Sequence, residues 1–366
     1  MDPTLQRFSE QIAEASATGA PLRIRGGGSK DWYGQELHGT LFDTTAYRGI
    51  TDYEPTELVI TARCGTPLAE IEAHLTAHGQ MLAFEPPHFG PKATLGGMVA
   101  AGLSGPRRQA AGSVRDFVLG ATLMNGHGEL LHFGGKVMKN VAGYDVSRLL
   151  TGSLGIFGLI AEVSLKVLPK PVAERSLRLE MHQKEALRRL NEWGGQPLPI
   201  SASSWADGEL AVRLSGARSA VDAARARIGG DEIDQADACW RSLREQDNAF
   251  FADARRHPNG LWRLSLPSSA APLSLPGRQL IEWGGAQRWL LIDADADADT
   301  DAATIRAAAS RAGGHATLFR GGIRSSSADA GVFHPLAPAV RTIHKQLKDA
   351  FDPAGVFNRG RMYKEF

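Results

Sequence analysis

The chain has 366 residues, of which 43% are hydrophobic and 22% charged, with 41 basic and 40 acidic side chains for a net charge of +1. That length asks for more than one core, the composition excludes a disordered chain, and the near-neutral charge gives no electrostatic case for nucleic acid. No run of 18 apolar residues occurs and Met1-Asp2-Pro3 opens no leader pattern, so the expectation is a cytoplasmic protein without a membrane span.

Leu5, Phe8 and Ile12 stand at helical spacing and predict a first helix. Leu22 to Arg25 predicts a strand, cut off by Gly26-Gly27-Gly28. Leu58 to Cys64 predicts a second strand, followed by a helix with Thr66 as N-cap, Pro67 at its first position, Leu68, Ile71 and Leu75 inward, and a stop at Gly79. Phe117 to Met124 and Glu129 to Phe133 predict a hairpin around Asn125-Gly126. Ala161, Val163, Leu165 and Val167 alternate with polar residues as a half-buried strand does. Pro169-Lys170-Pro171 then marks a domain boundary.

Beyond it the reading is strand 176–181, helix 184–193, strands 200–205 and 209–214, and a helix through Val221 and Ile228. A second series follows: strands 261–266 and 288–292, helix 302–312 and strand 316–319. Mixed order of this kind predicts an antiparallel α+β cap over 172–334. The last helix, 335–350, places Leu336, Val340, Ile343 and Leu347 on one side, before Asp352-Pro353 ends it.

Two glycine-rich segments carry the chemistry. In the first, Arg25, Gly26, Gly27, Gly28, Ser29 and Lys30 follow a strand directly, and amides unshielded by Cβ atoms can cradle a phosphate. It has neither the GKS/GKT ending of a P-loop nor GxGxxG, so alone it reads equally as a flexible turn. The second runs from Thr94 through Gly96, Gly97, Gly102, Ser104 and Gly105, then past Arg107 and Arg108 to Gly112, Arg115 and Asp116. Its small residues let an extended ligand lie on the backbone.

Together these segments resemble the FAD-binding domain of the vanillyl-alcohol-oxidase family, which includes D-lactate dehydrogenases. The resemblance implies a PCMH-type FAD-binding domain of two α/β subdomains over 1–171, an α+β cap over 172–334, and a segment 335–366 returning to the first domain. It places the first loop on the pyrophosphate, the second along pyrophosphate and flavin, and Gly158 and Ile160, from the run Gly152 to Ile160, at the adenine end. Pro86 joins the cofactor set, and Asn358 is expected near the ring.

Within the family, Lys136 to Asp145, Ser147-Arg148-Leu149 and the ending Phe351 to Arg361 resemble the E-type subunits of bacterial glycolate oxidases, although Arg359 stands where proline is usual. That implies FAD, a D-type flavin subunit and an iron–sulfur subunit as partners, oxidation of glycolate to glyoxylate, and peripheral membrane attachment through those partners. Members with covalent FAD carry a histidine in the first loop. Ser29-Lys30 stands there instead, implying non-covalent FAD, and His88 reads as an ordinary loop histidine.

Catalytic relatives that oxidise 2-hydroxy acids show a histidine pair in the cap, needed to take a hydroxyl proton. Here His257, His315 and His334 are isolated in sequence, which points to an accessory flavin subunit. Tyr144, Arg320 and Arg324 are the catalytic candidates, the arginines as carboxylate clamps or as surface ion pairs. The acidic run Asp293 to Asp299 lacks the glycine and glutamate of a calcium loop, and no metal site is expected. A self-sufficient oxidase of another hydroxy acid or alcohol and a non-redox scaffold remain as alternatives.

Overall fold

A computed structural model of the chain describes residues 2–135, 145–255, 260–292, 302–321 and 331–366. It divides into two compact units, one of Met1–Ser104, Gly112–Lys170 and Pro335–Phe366, the other of Gly105–Ala111 and Pro171–His334.

The first unit begins with the helix Pro3–Thr18. Asp2 Oδ1 accepts from Thr4 N at 2.8 Å, Pro3 occupies the first turn, and Gly19 closes the helix at φ 69°. Leu5, Phe8, Ile12 and Ala15 line one face and pack with Phe42, Met124 and Phe357. Each large side chain in such a core contributes roughly 1.5–3 kcal/mol.

A five-stranded antiparallel sheet runs in the order Ile50–Glu54, Val59–Arg63, Leu159–Lys166, Val118–Met124, Leu130–Gly134. The strand Leu159–Lys166 therefore lies in the middle, and the half-buried alternation expected there gives way to nearly continuous burial. Its Ser164 is buried, with Thr61 Oγ1 2.8 Å from Ser164 Oγ. Two further expectations change. Pro67, not Thr66, caps the helix Leu68–Ala77, because Thr66 Oγ1 donates backward to Arg63 O at 2.7 Å. The hairpin loop is longer than two residues: Asn125 N donates to Glu129 O, and Asn125 Oδ1 accepts from His127 N and Glu129 N.

The last helix, Pro338–Phe351, departs most from expectation. Val340 and Ile343 are 42% and 55% exposed, and the residue it buries is Lys348. Of the apolar stripe read from the sequence, Val340 and Ile343 face outward and Leu336 and Leu347 are half-buried, while Lys348 finds three acceptors inside.

The second unit is an eight-stranded sheet in the order Asp231–Glu232, Ala173–Glu180, Glu209–Gly216, Ile200–Ala206, Arg278–Glu282, Gln287–Leu291, Leu261–Ser265, His315–Arg320. All its pairings are antiparallel. Leu210, Val212 and Leu214 alternate into one core with the helices Gln183–Gly194 and Arg218–Ile228. Trp262, Leu264 and Leu290 form another with Ile305 and Ala309 of the helix Ala302–Arg311. The segment Gly105–Ala111, read from the sequence as part of the first domain, belongs to this unit. Trp283 Nε1 donates to Gly105 O at 3.0 Å, Arg108 lies over the Trp283 ring, and Arg107 Nη2 is 3.0 Å from Glu174 Oε2.

Candidate functional site

Four segments of the first unit converge on a cavity open to solvent. The strand Leu22–Arg25 delivers the first glycine loop. A Cβ on Gly27 would lie 1.4 Å from Lys92 O, and Gly28 has φ 71°, so both positions need glycine. Arg25 Nε is 2.7 Å from Asp31 Oδ2, and Lys30 Nζ donates to His88 O at 3.2 Å.

The helix Leu95–Ala101 brings the second segment, with Thr94 as its N-cap. It approaches so closely that a Cβ on Gly96 would sit 2.7 Å from Cys64 Cβ. A Cβ on Gly97 would meet one atom, Thr94 Oγ1, at a tight 3.2 Å, and is otherwise unobstructed. Leu154, Gly155, Gly158, Leu159 and Ile160 form a third wall.

The tail forms the fourth. Asn358 Oδ1 accepts from Ile24 N at 2.8 Å while its Nδ2 donates to Leu154 O at 2.6 Å. Arg361 Nη2 donates to Asp31 O at 2.8 Å, and Nη1 donates to Gln35 O.

The lining holds three cations, Arg25, Lys30 and Arg361, against one carboxylate, Asp31, with Ile24, Leu37, Ala100 and Leu159 as apolar wall. Positive charge beside bare glycine backbone and an apolar slot suits a diphosphate carrying planar rings. FAD has that chemistry, and the space at Gly97 is where a Cβ would intrude.

Of the residues singled out in the sequence, Arg25, Gly26, Gly27, Gly28, Ser29, Lys30, Thr94, Gly96, Gly97, Gly158, Ile160 and Asn358 line this cavity. Pro86, Gly102, Ser104 and Gly112 lie outside the lining. Pro86 is buried. Gly102 ends its helix at φ 64°, where a Cβ would crowd Gly152, and Ser104 Oγ accepts from Val114 N at 3.1 Å. Gly112 has φ 109° and adjoins the Asp116 side chain, and Gly105 belongs to the second unit. Arg115 and Asp116 instead face a second cavity with Asp145, Arg148, Thr151 and His344. Asp145 caps the short helix Val146–Leu149 by accepting from Arg148 N.

Cys64 and Arg361 line the first cavity but were not chosen from the sequence. Cys64 is fully buried, and burial pushes its thiol up to about 12. It is a neutral wall, not a nucleophile. Because the shift is upward, its contribution to stability is whole below the ordinary thiol value near 9 and is lost as pH rises toward 12. Ellman's reagent is expected to titrate the exposed Cys239 at once and Cys64 only after unfolding; two fast thiols in the native chain would contradict this.

Of the catalytic candidates, Tyr144 and Arg324 lie outside the described residues, as do His257 and Asp293 to Asp299. Arg320 ends the strand His315–Arg320, and burial, with Arg255 nearby, brings its guanidinium down to about 10. His315 and His334, isolated in sequence, come together with ring centroids 6.2 Å apart. Burial first, then Arg263 and His334 for His315 and Arg306 for His334, hold both imidazoles below their usual value. Among the described residues no group of three or more His, Cys, Asp or Glu is placed to hold a metal. His88 stands 3.2 Å from Glu72 and is not part of the cavity lining.

Residues 4–134 match the family model described as an FAD binding domain, and with the glycine-walled cavity this makes the chain an FAD-binding flavoprotein of an oxidoreductase family. It is 51% identical to glycolate oxidase subunit GlcE of Escherichia coli (strain K12), over 98% of this chain and 97% of that one. The chain belongs to the GlcE family of glycolate oxidase subunits.

Similarity to other flavoproteins is narrower. Glycolate oxidase subunit GlcD of Bacillus subtilis (strain 168) is 38% identical over 23% of this chain and 18% of its own length. A D-lactate dehydrogenase of Archaeoglobus fulgidus is 30% identical over 45% of this chain and 37% of its own. In structure the chain is similar to alkyldihydroxyacetonephosphate synthase, with a TM-score of 0.64 at 14% identity over 96% of this chain and 74% of that one. That likeness establishes the PCMH-type α+β fold.

Proposed function

We propose that the chain is the E-type FAD-binding subunit of a glycolate oxidase, accessory to a catalytic D-type flavin subunit and an iron–sulfur subunit, in the oxidation of glycolate to glyoxylate. The observation that carries this reading is the cation-rich, glycine-walled cavity in a chain similar over nearly its whole length to a glycolate oxidase subunit.

Bound FAD supplies a two-electron acceptor. Around it, Arg25, Lys30 and Arg361 balance the diphosphate charge, Gly26 to Gly28 and Gly96-Gly97 let backbone approach it, and Gly158 and Ile160 border the nucleotide end. Non-covalent binding is supported by the described lining, which holds no histidine and whose cysteine is a neutral thiol. The accessory role is supported by the second unit. His315 and His334 adjoin each other, and burial together with Arg263 beside His315 and Arg306 beside His334 holds both imidazoles below their usual value, which makes them weaker bases. Among the described residues no helix is long and apolar enough to cross a membrane, and partner subunits would supply any attachment to a bilayer.

The test is an absorbance spectrum of the chain purified alone, before and after anaerobic glycolate. Flavin bands that persist with glycolate, and bleach only when the D-type subunit is added, are the expected result. Bleaching by glycolate alone would make the chain a self-sufficient oxidase. Protein that stays colourless after adding FAD would overturn the cofactor assignment.

A further inference from the structure

The last helix buries a lysine rather than its apolar stripe. Lys348 Nζ donates to Asp352 Oδ2 at 2.7 Å, to Ile156 O at 2.7 Å and to Phe357 O at 2.8 Å. An ammonium has three hydrogens, and all three are used. The side chains of Lys348 and Asp352 are 7% and 0% exposed. Asp352 accepts in turn from Val356 N at 3.0 Å and Phe357 N at 2.8 Å.

Removing two charges from water is costly, and a pair of hydrophobic residues often fills such a place as well or better. What the ion pair does here that an apolar pair cannot is define positions. The turn it ties leads directly into Asn358 and Arg361. Leu22 N donates to Val356 O at 2.8 Å and Asn358 N to Leu22 O at 2.9 Å, which seats that turn beside the strand feeding the first glycine loop. Ile156 lies between Gly155 and Gly158 of the third wall. One ammonium thus touches the tail and the third wall at once, while Asn358 and Arg361 reach from the tail to the third wall and the first loop.

We infer that Lys348 and Asp352 are positioning residues of the FAD site, a buried latch that holds the tail so that Asn358 and Arg361 fix the cavity walls at cofactor spacing. The inference rests on the assignment of this cavity to FAD, which the flavin content of the wild-type chain tests separately.

The experiment compares the full-length chain with Lys348→Met and with the double variant Lys348→Met/Asp352→Asn. The double variant removes both charges together and keeps one side-chain oxygen, enough to accept from one of the two amides, Val356 N or Phe357 N, that Asp352 holds. It therefore leaves no uncompensated buried charge and remains informative if the single variant fails to fold. Apo Tm and the FAD dissociation constant are read for each protein that is folded by circular dichroism. Leu75→Ala, a core truncation in the same unit at a fully buried site away from the tail, is the control for general destabilisation.

The expected result is an FAD dissociation constant raised at least tenfold in the double variant and near wild type in Leu75→Ala. A double variant that binds FAD within twofold of wild type would overturn the inference. So would equal weakening in Leu75→Ala, because it would mean that any loss of stability produces the same effect.

Discussion

Gly97→Ala is expected to keep an apo stability close to the wild type's and to bind FAD more than tenfold more weakly, whereas Gly27→Ala is expected to lose stability and flavin together. The two substitutions add the same methyl group to the same cavity lining. At Gly97 the new Cβ meets only Thr94 Oγ1 at 3.2 Å, and the residue lies within the helix Leu95–Ala101. In this first turn the backbone gain of alanine over glycine, at most roughly 0.5–1 kcal/mol, is offset by the tight contact with the Thr94 cap, so the apo Tm stays close to wild type. The methyl then occupies space where the cofactor would press on bare backbone. At Gly27 the Cβ would lie 1.4 Å from Lys92 O and 2.4 Å from its carbonyl carbon. Those are backbone atoms that cannot swing away, and overpacking of this kind costs roughly 1–3 kcal/mol. Thermal unfolding of apo protein and an FAD titration, run on both variants, separate the effects. Wild-type FAD affinity in Gly97→Ala would mean that this wall does not face the cofactor.

Asn358→Ala is expected to destabilise the first unit by roughly 2–5 kcal/mol and to release FAD during purification. The amide serves two segments at once, accepting from Ile24 N and donating to Leu154 O. Truncation strands both partners inside a site where Asn358 is only 7% exposed, and a buried polar group left without a partner costs about 1–3 kcal/mol. The backbone adds to this, since Asn358 has φ 38°, a region asparagine tolerates better than alanine. Asn358→Asp keeps an acceptor for Ile24 N, loses the donor to Leu154 O and adds negative charge beside the diphosphate site. Its apo Tm is expected between the other two, with FAD binding as weak as in Asn358→Ala. Chemical unfolding of the apo proteins, with flavin-to-protein absorbance ratios, measures both. An alanine variant that retains full flavin would remove Asn358 from the binding site.

Much of the cavity was legible in the sequence because its requirements are local. A strand ending at Arg25 in three glycines, and a threonine starting a helix with Gly96-Gly97, can be read within a few residues of each other. Arg361 was not, because its work is to donate to the carbonyls of Asp31 and Gln35, more than 320 positions earlier, and carbonyls leave no trace in side-chain spelling. The outward face of the last helix went unread for a related reason. Periodicity assigns apolar residues to the interior, but Lys348 found three oxygens there, while Val340 and Ile343 face outward. Thr66 looked like a cap until Arg63 O claimed its hydroxyl. In the second unit, the strand Arg278–Glu282 and the helices Ala236–Glu245 and Ala249–Ala254 were missed. The strand Arg278–Glu282 does not alternate and Ala249–Ala254 is only six residues long, whereas Ala236–Glu245 carries a clear inward pair in Trp240 and Leu243 that could have been read. The meeting of His315 and His334 depends on strand placement, which residue spacing does not encode.

The cavity wall joins residues 334 positions apart, from Ile24 to Asn358, and that distance orders events during synthesis. A chain made from its N-terminus has both glycine segments long before it has Asn358 or Arg361. Pro171–His334, by contrast, is one continuous stretch that needs only Gly105–Ala111 from upstream. Its sheet can assemble while the ribosome is still working, since domains commonly fold as units in the order they are made. The flavin pocket is then completed last, by closing a loop that spans most of the chain. The bonds of Asn358 and Arg361 to the first loop and third wall therefore form only after the last residues have left the ribosome, so the flavin site is complete only in the released chain.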